Sequence, residues 1–434
     1  MKRISLVISF AALAVSVSSP ALAADSGYLV RLKPSHSFAT QAQLESLGLT
    51  VEKRIPQLDM VFSKTAPNLS RADVKSAVLY VEPNYKRKAA IYETGLQRNA
   101  SILARVGRSE GEQLWGMRQI KAEEAWAIST GSKDIVMAIS DTGMFEHLEL
   151  APNAWRNPGE NGLDANGKDK AKNKKDDDGN GFVDDFGGAG FDGGYSNNTY
   201  DRHYHGTHVS GTAGAFAPDR TGVAGPVWNA QIMPVPFIGG DGWGSDEGAI
   251  QTILYAADNG ARVLNGSWGG SDNTRALRDA IDYAGQKGLL MVFAAGNDGT
   301  DTDKNPHYPS AFDSPYIISV AASSASGWMA GFSNYGKVSV DLGAPGEDVY
   351  SSFNPLCNCA QRRFYDYLSG TSMASPHVAG AAALVLSINP RLTNLEVKQI
   401  LLSTVTPDAD FAKTVSGGIL NLAEAAKLAK QTLQ

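Results

Sequence analysis

From Trp115 onward, short apolar runs alternate with longer stretches of helical period, and this alternation restricts the fold more than any other feature of the chain. Ile135-Val136-Met137-Ala138-Ile139, Arg262-Val263-Leu264-Asn265 and Leu289-Leu290-Met291-Val292-Phe293 read as strands. Helices are expected between them, over Asp246–Gly260 and Thr274–Gly288. Strands with no regular polar face, separated by helices, predict an α/β fold: a mostly parallel, doubly wound sheet with helices on both sides. At 434 residues the chain exceeds the usual single-domain length, so a second, smaller unit is expected.

The N-terminal part supplies that unit. Residues 1–23 read as a signal peptide: Lys2 and Arg3, an apolar run from Ile4 to Val17, and the small-residue site Ala21-Leu22-Ala23. The run is short for a bilayer span, so no membrane association is expected after its removal. Residues 24–90 pattern as a small α+β module. Strands are expected at Tyr28–Lys33, Leu58–Phe62 and Leu79–Asn84, and helices at Gln41–Leu47 and Ser70–Val78. In the second helix Ser70 is the expected cap, with Asp73 three residues on. Residues 91–112 are polar, weakly patterned and rich in Arg, as an exposed linker would be. Residues 113–434 form the body.

Charge divides along the same line. Residues 24–110 hold 13 Lys and Arg against 8 Asp and Glu, whereas residues 111–434 hold 24 against 37. A basic segment on an acidic body predicts mutual attraction and argues against nucleic acid as a partner. Cys357 and Cys359 are the only cysteines; a bridge between them would be strained, and neither looks catalytic.

Three small-residue motifs carry the chemistry: Asp141-Thr142-Gly143, His205-Gly206-Thr207-His208-Val209, and the run Gly370 to Gly380 containing Ser372. A serine hydroxyl is unreactive until a base takes its proton, and an acid can fix that base's tautomer. Ser372 is the candidate nucleophile, His205 the base and Asp141 the orienting acid. Gly370 allows a tight turn, Ser372 starts a helix, and Pro376 is expected near its first turn. The spacing of His203, His205 and His208 fits no zinc motif, and His208 is expected to be a core histidine held by backbone bonds. A single Asp-Thr-Gly lacks the second copy an aspartic protease needs.

These motifs, with Asn265-Gly266-Ser267-Trp268-Gly269-Gly270, Ala294-Ala295-Gly296-Asn297, Phe332-Ser333-Asn334-Tyr335-Gly336 and Ala344-Pro345-Gly346, resemble the subtilase family from about Leu114 to Leu428. The resemblance implies a subtilisin-like catalytic domain preceded by a ferredoxin-like propeptide, residues 24–90, that acts as chaperone and inhibitor. It implies a secreted, monomeric serine endopeptidase acting on polypeptides, in the extracellular space or the periplasm. The maturation cut is expected in the linker. Asn297 becomes the oxyanion donor, together with the Ser372 N–H. Ser267, Trp268, Gly269 and Gly270 become an exposed strand that pairs with substrate, and Ala295 and Gly296 line the pocket for the residue before the cut. Three positions depart from the family pattern: Tyr204, where Gly is common; Trp268, where Leu is common; and His307, before Tyr308-Pro309. Other readings are a narrow-specificity processing protease and a catalytically silent binding relative. The filled catalytic positions argue against the second.

Asp176-Asp177-Asp178-Gly179-Asn180-Gly181 has oxygens at alternate positions and then a Gly, the first half of an EF-hand-like loop without its closing Glu. A structural Ca2+ is expected on Asp176, Asp178, Asn180 and Asp184. The competing reading is a solvated acidic turn, balanced by the lysines from Lys168 to Lys175.

Overall fold

The apolar runs become inner strands of one large sheet. The computed structural model describes residues 26–92, 114–217, 222–357 and 363–433. The expected signal peptide and residues 93–112 of the expected linker lie outside the described residues.

The N-terminal unit is β1 (Tyr28–Leu32), α1 (Gln41–Ser46), β2 (Val51–Ile55), β3 (Met60–Ser63), α2 (Ala72–Ala77) and β4 (Val78–Pro83). Its sheet is antiparallel with order β2-β3-β1-β4. Alternation along the strands gives it two apolar faces. Val30, Leu32 and Val61 pack with Leu44 and Val74 of the helices. Leu29, Ile55, Leu58 and Met60 belong instead to the core of the body. Two local expectations need correction. α2 is capped by Arg71 without a side-chain bond; Ser70 turns to Asn68, and Arg71 pairs with Asp73. The strand β2 was not anticipated, because Glu52, Lys53 and Arg54 make a charged edge, a feature that discourages pairing with other chains.

In the body, β6 (Gly131–Ser140), β7 (Asn229–Pro234), β9 (Val263–Gly266), β11 (Leu290–Ala294), β12 (Ile317–Ser323), β13 (Leu342–Pro345), β16 (Thr406–Pro407) and β17 (Gly418–Ile419) form one sheet. Its order is β16-β17-β13-β12-β11-β9-β6-β7, and every pair is parallel except β16 with β17. Both faces are covered, which is why the strands are apolar throughout. Met137, Ile139 and Val292 share a core with Val378 and Leu384 of α8 (Thr371–Ile388). Ala138, Met291 and Phe293 point the other way, to Ala249 and Ile253 of α6 (Asp246–Asp258) and Leu277 of α7 (Arg275–Gln286). α8 is long and apolar enough to cross a bilayer, and 89% of that stretch is buried inside the protein.

Two elements join the units. Arg31 reaches Asp279 at 2.9 Å and Lys53 reaches Glu247 at 3.1 Å, so basic side chains of the small unit meet acidic ones on α6 and α7. Then β5 (Lys86–Ala89) leaves the small unit and lies between β8 (Trp243–Ser245) and β10 (Trp268–Gly269), antiparallel to both.

Candidate active site

Parallel sheets place ligands at the carboxyl ends of their strands, and the three adjacent strands β6, β9 and β11 end at the motifs found in the sequence. Asp141 follows β6, Ser267 follows β9, and Asn297 lies three residues after β11. His205 opens α5 (His205–Gly214) and Ser372 is the second residue of α8. All of Asp141, His205 and Ser372 are fully buried.

His205 Nδ1 and Asp141 Oδ1 are 2.7 Å apart. That approach depends on Gly206, where a Cβ would stand 2.2 Å from the Gly143 carbonyl oxygen. The loop before His205 is gathered by a buried carboxylate the sequence reading missed. Asp201 accepts from Thr142 Oγ1, the N–H groups of His203, Tyr204 and Thr207, and Thr207 Oγ1. Its signal was the Asx-turn position ahead of the helix. Tyr204 has φ +145°, a glycine-like backbone, and its ring stacks between His203 and Phe353. His208 is a core histidine. Its Nε2 lies 3.1 Å and 3.2 Å from the carbonyls of Val349 and Asp366, and burial pushes its pKa down to about 3.

The helix of Ser372, the candidate nucleophile, departs from expectation. Pro376 is the sixth residue of α8, inside it, and cannot donate to the Ser372 carbonyl one turn back. Ser267 Oγ donates to that oxygen instead, at 2.9 Å. Deep packing of α8 follows from its small residues: at Gly380 a Cβ would meet the Ala213 carbonyl at 2.2 Å.

The site is filled by the chain itself. Ser372 Oγ donates to the carbonyl oxygen of Ala90 at 2.6 Å and lies 3.0 Å from that of Ser267. Asn297 Nδ2 donates to the same Ala90 oxygen at 2.5 Å, while its Oδ1 accepts from the N–H and the hydroxyl of Thr371 at 2.8 and 2.9 Å. Those two bonds fix which way the amide points. Gly370 has φ +154°, and a Cβ there would meet the Ala90 oxygen at 2.7 Å. No bond from the Ser372 N–H to Ala90 forms among the described residues. His205 Nε2 is buried with no partner.

The strand Ser267–Gly270 lies beneath β5 rather than exposed. Ala90 N–H donates to the Ser267 carbonyl at 3.0 Å, and Trp268 and Gly269 pair with Ala89 and Lys88. The Trp268 indole faces inward, edge-on to Phe237 and Phe293, so its size serves the core rather than a subsite. Beside Ala295 and Gly296 the space is taken by His307. A Cβ on Gly269 would meet its Cε1 at 2.1 Å, and one on Gly296 its Cδ2 at 2.9 Å. Past Ala90, Tyr92 stacks on Phe332 with ring centroids 4.4 Å apart.

Asp141, His205, Ser372 and Asn297 thus gather at the carboxyl edge of the sheet, and the last two hold one backbone carbonyl, that of Ala90. Residues 132–423 match the Subtilase family. The chain belongs to the subtilase family. Subtilisin DY of Bacillus licheniformis is 39% identical over 56% of this chain and 84% of its own. An extracellular protease of Xanthomonas campestris is 30% identical over 89% of this chain and 67% of its own. Fervidolysin of Fervidobacterium pennivorans, solved by crystallography and described as a keratinolytic enzyme related to subtilisin, superposes with a TM-score of 0.68 at 25% identity. That superposition covers 93% of this chain and 61% of fervidolysin. As a subtilase the chain falls among serine proteases that act on peptides.

The acidic loop folds differently from the expected ligand set. Asp176 accepts from the N–H groups of Gly179, Asn180 and Gly181, and Asp184 from that of Lys174. The carboxylates that converge are Glu160, Asp178 and Asp185, with one oxygen of each within 4.8 Å of the others. Burial raises the pKa of Glu160 and of Asp185, and Glu160 Oε2 is buried without a partner.

Proposed function

We propose that this protein is a secreted serine endopeptidase, synthesised as a precursor whose own active site cuts the Ala90–Ile91 bond. The observation that carries the reading is the Ala90 carbonyl, held between the Ser372 hydroxyl and the Asn297 amide. Residues 24–90 then act as chaperone and inhibitor, and β5 is the substrate-like tail. The cut falls just ahead of the polar stretch where the sequence alone placed it.

The arrangement fits the following steps once the Ser372 hydroxyl turns from the Ala90 oxygen to His205 Nε2, a bond not present among the described residues. Ser372 Oγ attacks the Ala90 carbonyl carbon, and its proton passes to His205 Nε2, the acceptor left open in this buried site. Asp141 holds the Nδ1–H, fixing the tautomer and stabilising the imidazolium. Charge developing on the Ala90 oxygen is met by Asn297 Nδ2, which needs no reorganisation because Thr371 already holds its amide. His205 returns the proton to the Ile91 nitrogen as the C–N bond breaks, and the new amine departs. Water, deprotonated by His205, then releases the Ser372 acyl ester.

The acid cluster fits a Ca2+ ion, a hard cation that takes oxygen ligands. Glu160, Asp178 and Asp185 would hold it, with the amide oxygens of Asn157 and Asn180 beside them after rotation of those groups, and its role would be structural. Export is supported by the signal-like residues 1–23 and by an extracellular relative.

Reaction with a serine-directed phosphonylating reagent tests the reading. Labelling and peptide hydrolysis should both vanish in a folded Ser372→Ala protein. Near-normal turnover by that variant would overturn it.

A further inference from the structure

Resting on this assignment of the cut bond, we infer that the enzyme selects an arginine at the fourth residue before the bond it cleaves, and that Asp246 is the residue that selects it. Counting back from Ala90, the fourth residue is Arg87. Along β5 the side chains alternate: Lys86 and Lys88 are exposed, and Arg87 and Ala89 are buried. The Arg87 side chain is wholly inaccessible. Its Nε donates to Asp246 Oδ1 at 2.5 Å and its Nη2 to Asp246 Oδ2 at 3.0 Å, a two-point grip on one carboxylate. Nη2 also donates to the Asp272 carbonyl at 2.9 Å. Gly270 leaves room for the group, since a Cβ there would lie 3.2 Å from Nη1.

The pocket belongs to the body, not to the departing segment. Asp246 is the first residue of α6, where the helix N-terminus favours a carboxylate. β8 and β10 form its walls and also bind the backbone of whichever peptide lies between them. When residues 24–90 leave, a buried carboxylate loses its counter-charge, a costly state that water or another cation must relieve. A planar guanidinium satisfies both carboxylate oxygens and the Asp272 carbonyl together. An ammonium offers a point charge that cannot reproduce the fork, and an aliphatic side chain leaves the acid unpaired. Next to the cut, by contrast, His307 takes up the space beside Gly269 and Gly296, which favours a small side chain there. The resulting pattern is arginine, two variable or small residues, then alanine before the bond.

Mature enzyme should be assayed on quenched peptides spanning Lys-Arg-Lys-Ala-Ala-Ile-Tyr, with the arginine replaced by lysine or leucine. The arginine peptide should exceed the leucine peptide in kcat/KM on the order of 100-fold, with lysine between them. In Asp246→Asn the arginine-to-leucine ratio should collapse towards one. If that variant does not fold, the wild-type peptide series decides alone. Equal rates for arginine and leucine in the wild type would overturn the inference, leaving Arg87–Asp246 as a contact that only holds the precursor together. Casein hydrolysis in parallel separates the two failures, since its absence would sink the protease reading instead.

Discussion

The hydroxyl of Ser267 donates to the carbonyl oxygen of Ser372 at 2.9 Å, the oxygen that Pro376 leaves without its helical partner. The strand under β5 and the helix bearing Ser372, the proposed nucleophile, are thereby tied at that residue. Ser267 Oγ is itself positioned by Asn265 Nδ2 at 2.9 Å. Ser267→Ala should cost about 1–3 kcal/mol of stability, the penalty of a buried unpaired carbonyl. In a Pro376→Ala background a backbone N–H is restored to that oxygen, and the cost of Ser267→Ala should shrink. Denaturant melts of the four proteins measure the coupling. Strict additivity would contradict this role for Ser267.

His307 closes the space beside Gly269 and Gly296. His307→Gly should therefore admit leucine or phenylalanine as the residue before the cut, with kcat/KM for those peptides rising about 10-fold or more relative to alanine. A peptide series varied at that position checks it. An unchanged profile would mean that the imidazole does not fill the pocket.

Metal removal should lower the melting temperature, because an ion bound only by the native state stabilises it. Asp178→Asn and Glu160→Gln should abolish the chelator-sensitive part. Asp176→Asn should weaken the loop while leaving chelator sensitivity in place, since Asp176 is occupied by backbone N–H groups. Thermal melts with and without chelator distinguish the variants, and an unchanged melt of the wild type after confirmed metal removal would leave the cluster as an acidic turn.

Much of this was legible in the sequence for a physical reason. The proposed triad and its supporting glycines need particular residue types at particular backbone positions, so Asp141, His205, Ser372 and Asn297 stand out as motifs. Strands buried on both faces are apolar throughout, so the parallel sheet could be read directly. Partners distant in sequence could not be. Arg87 and Asp246 are 159 residues apart, and each alone is an ordinary surface-type residue. Asp201 looked like a loop acid, and only the fold shows five donors converging on it. Of the expected metal ligands only Asp178 joins the converging carboxylates, for a related reason. Acidic residues spaced along a loop do not reveal which ones its own N–H groups consume, or that Glu160 joins from outside it.

The central claim is that Ser372 cuts the chain at the carbonyl it holds here. The most direct measurement is the intact mass and N-terminal sequence of protein secreted by a host lacking other extracellular proteases. Wild type should accumulate as a chain beginning at Ile91, and Ser372→Ala should keep residues 24–90 attached. A Ser372→Ala chain processed at the same bond, or a wild-type chain whose first cut falls elsewhere, would contradict the account.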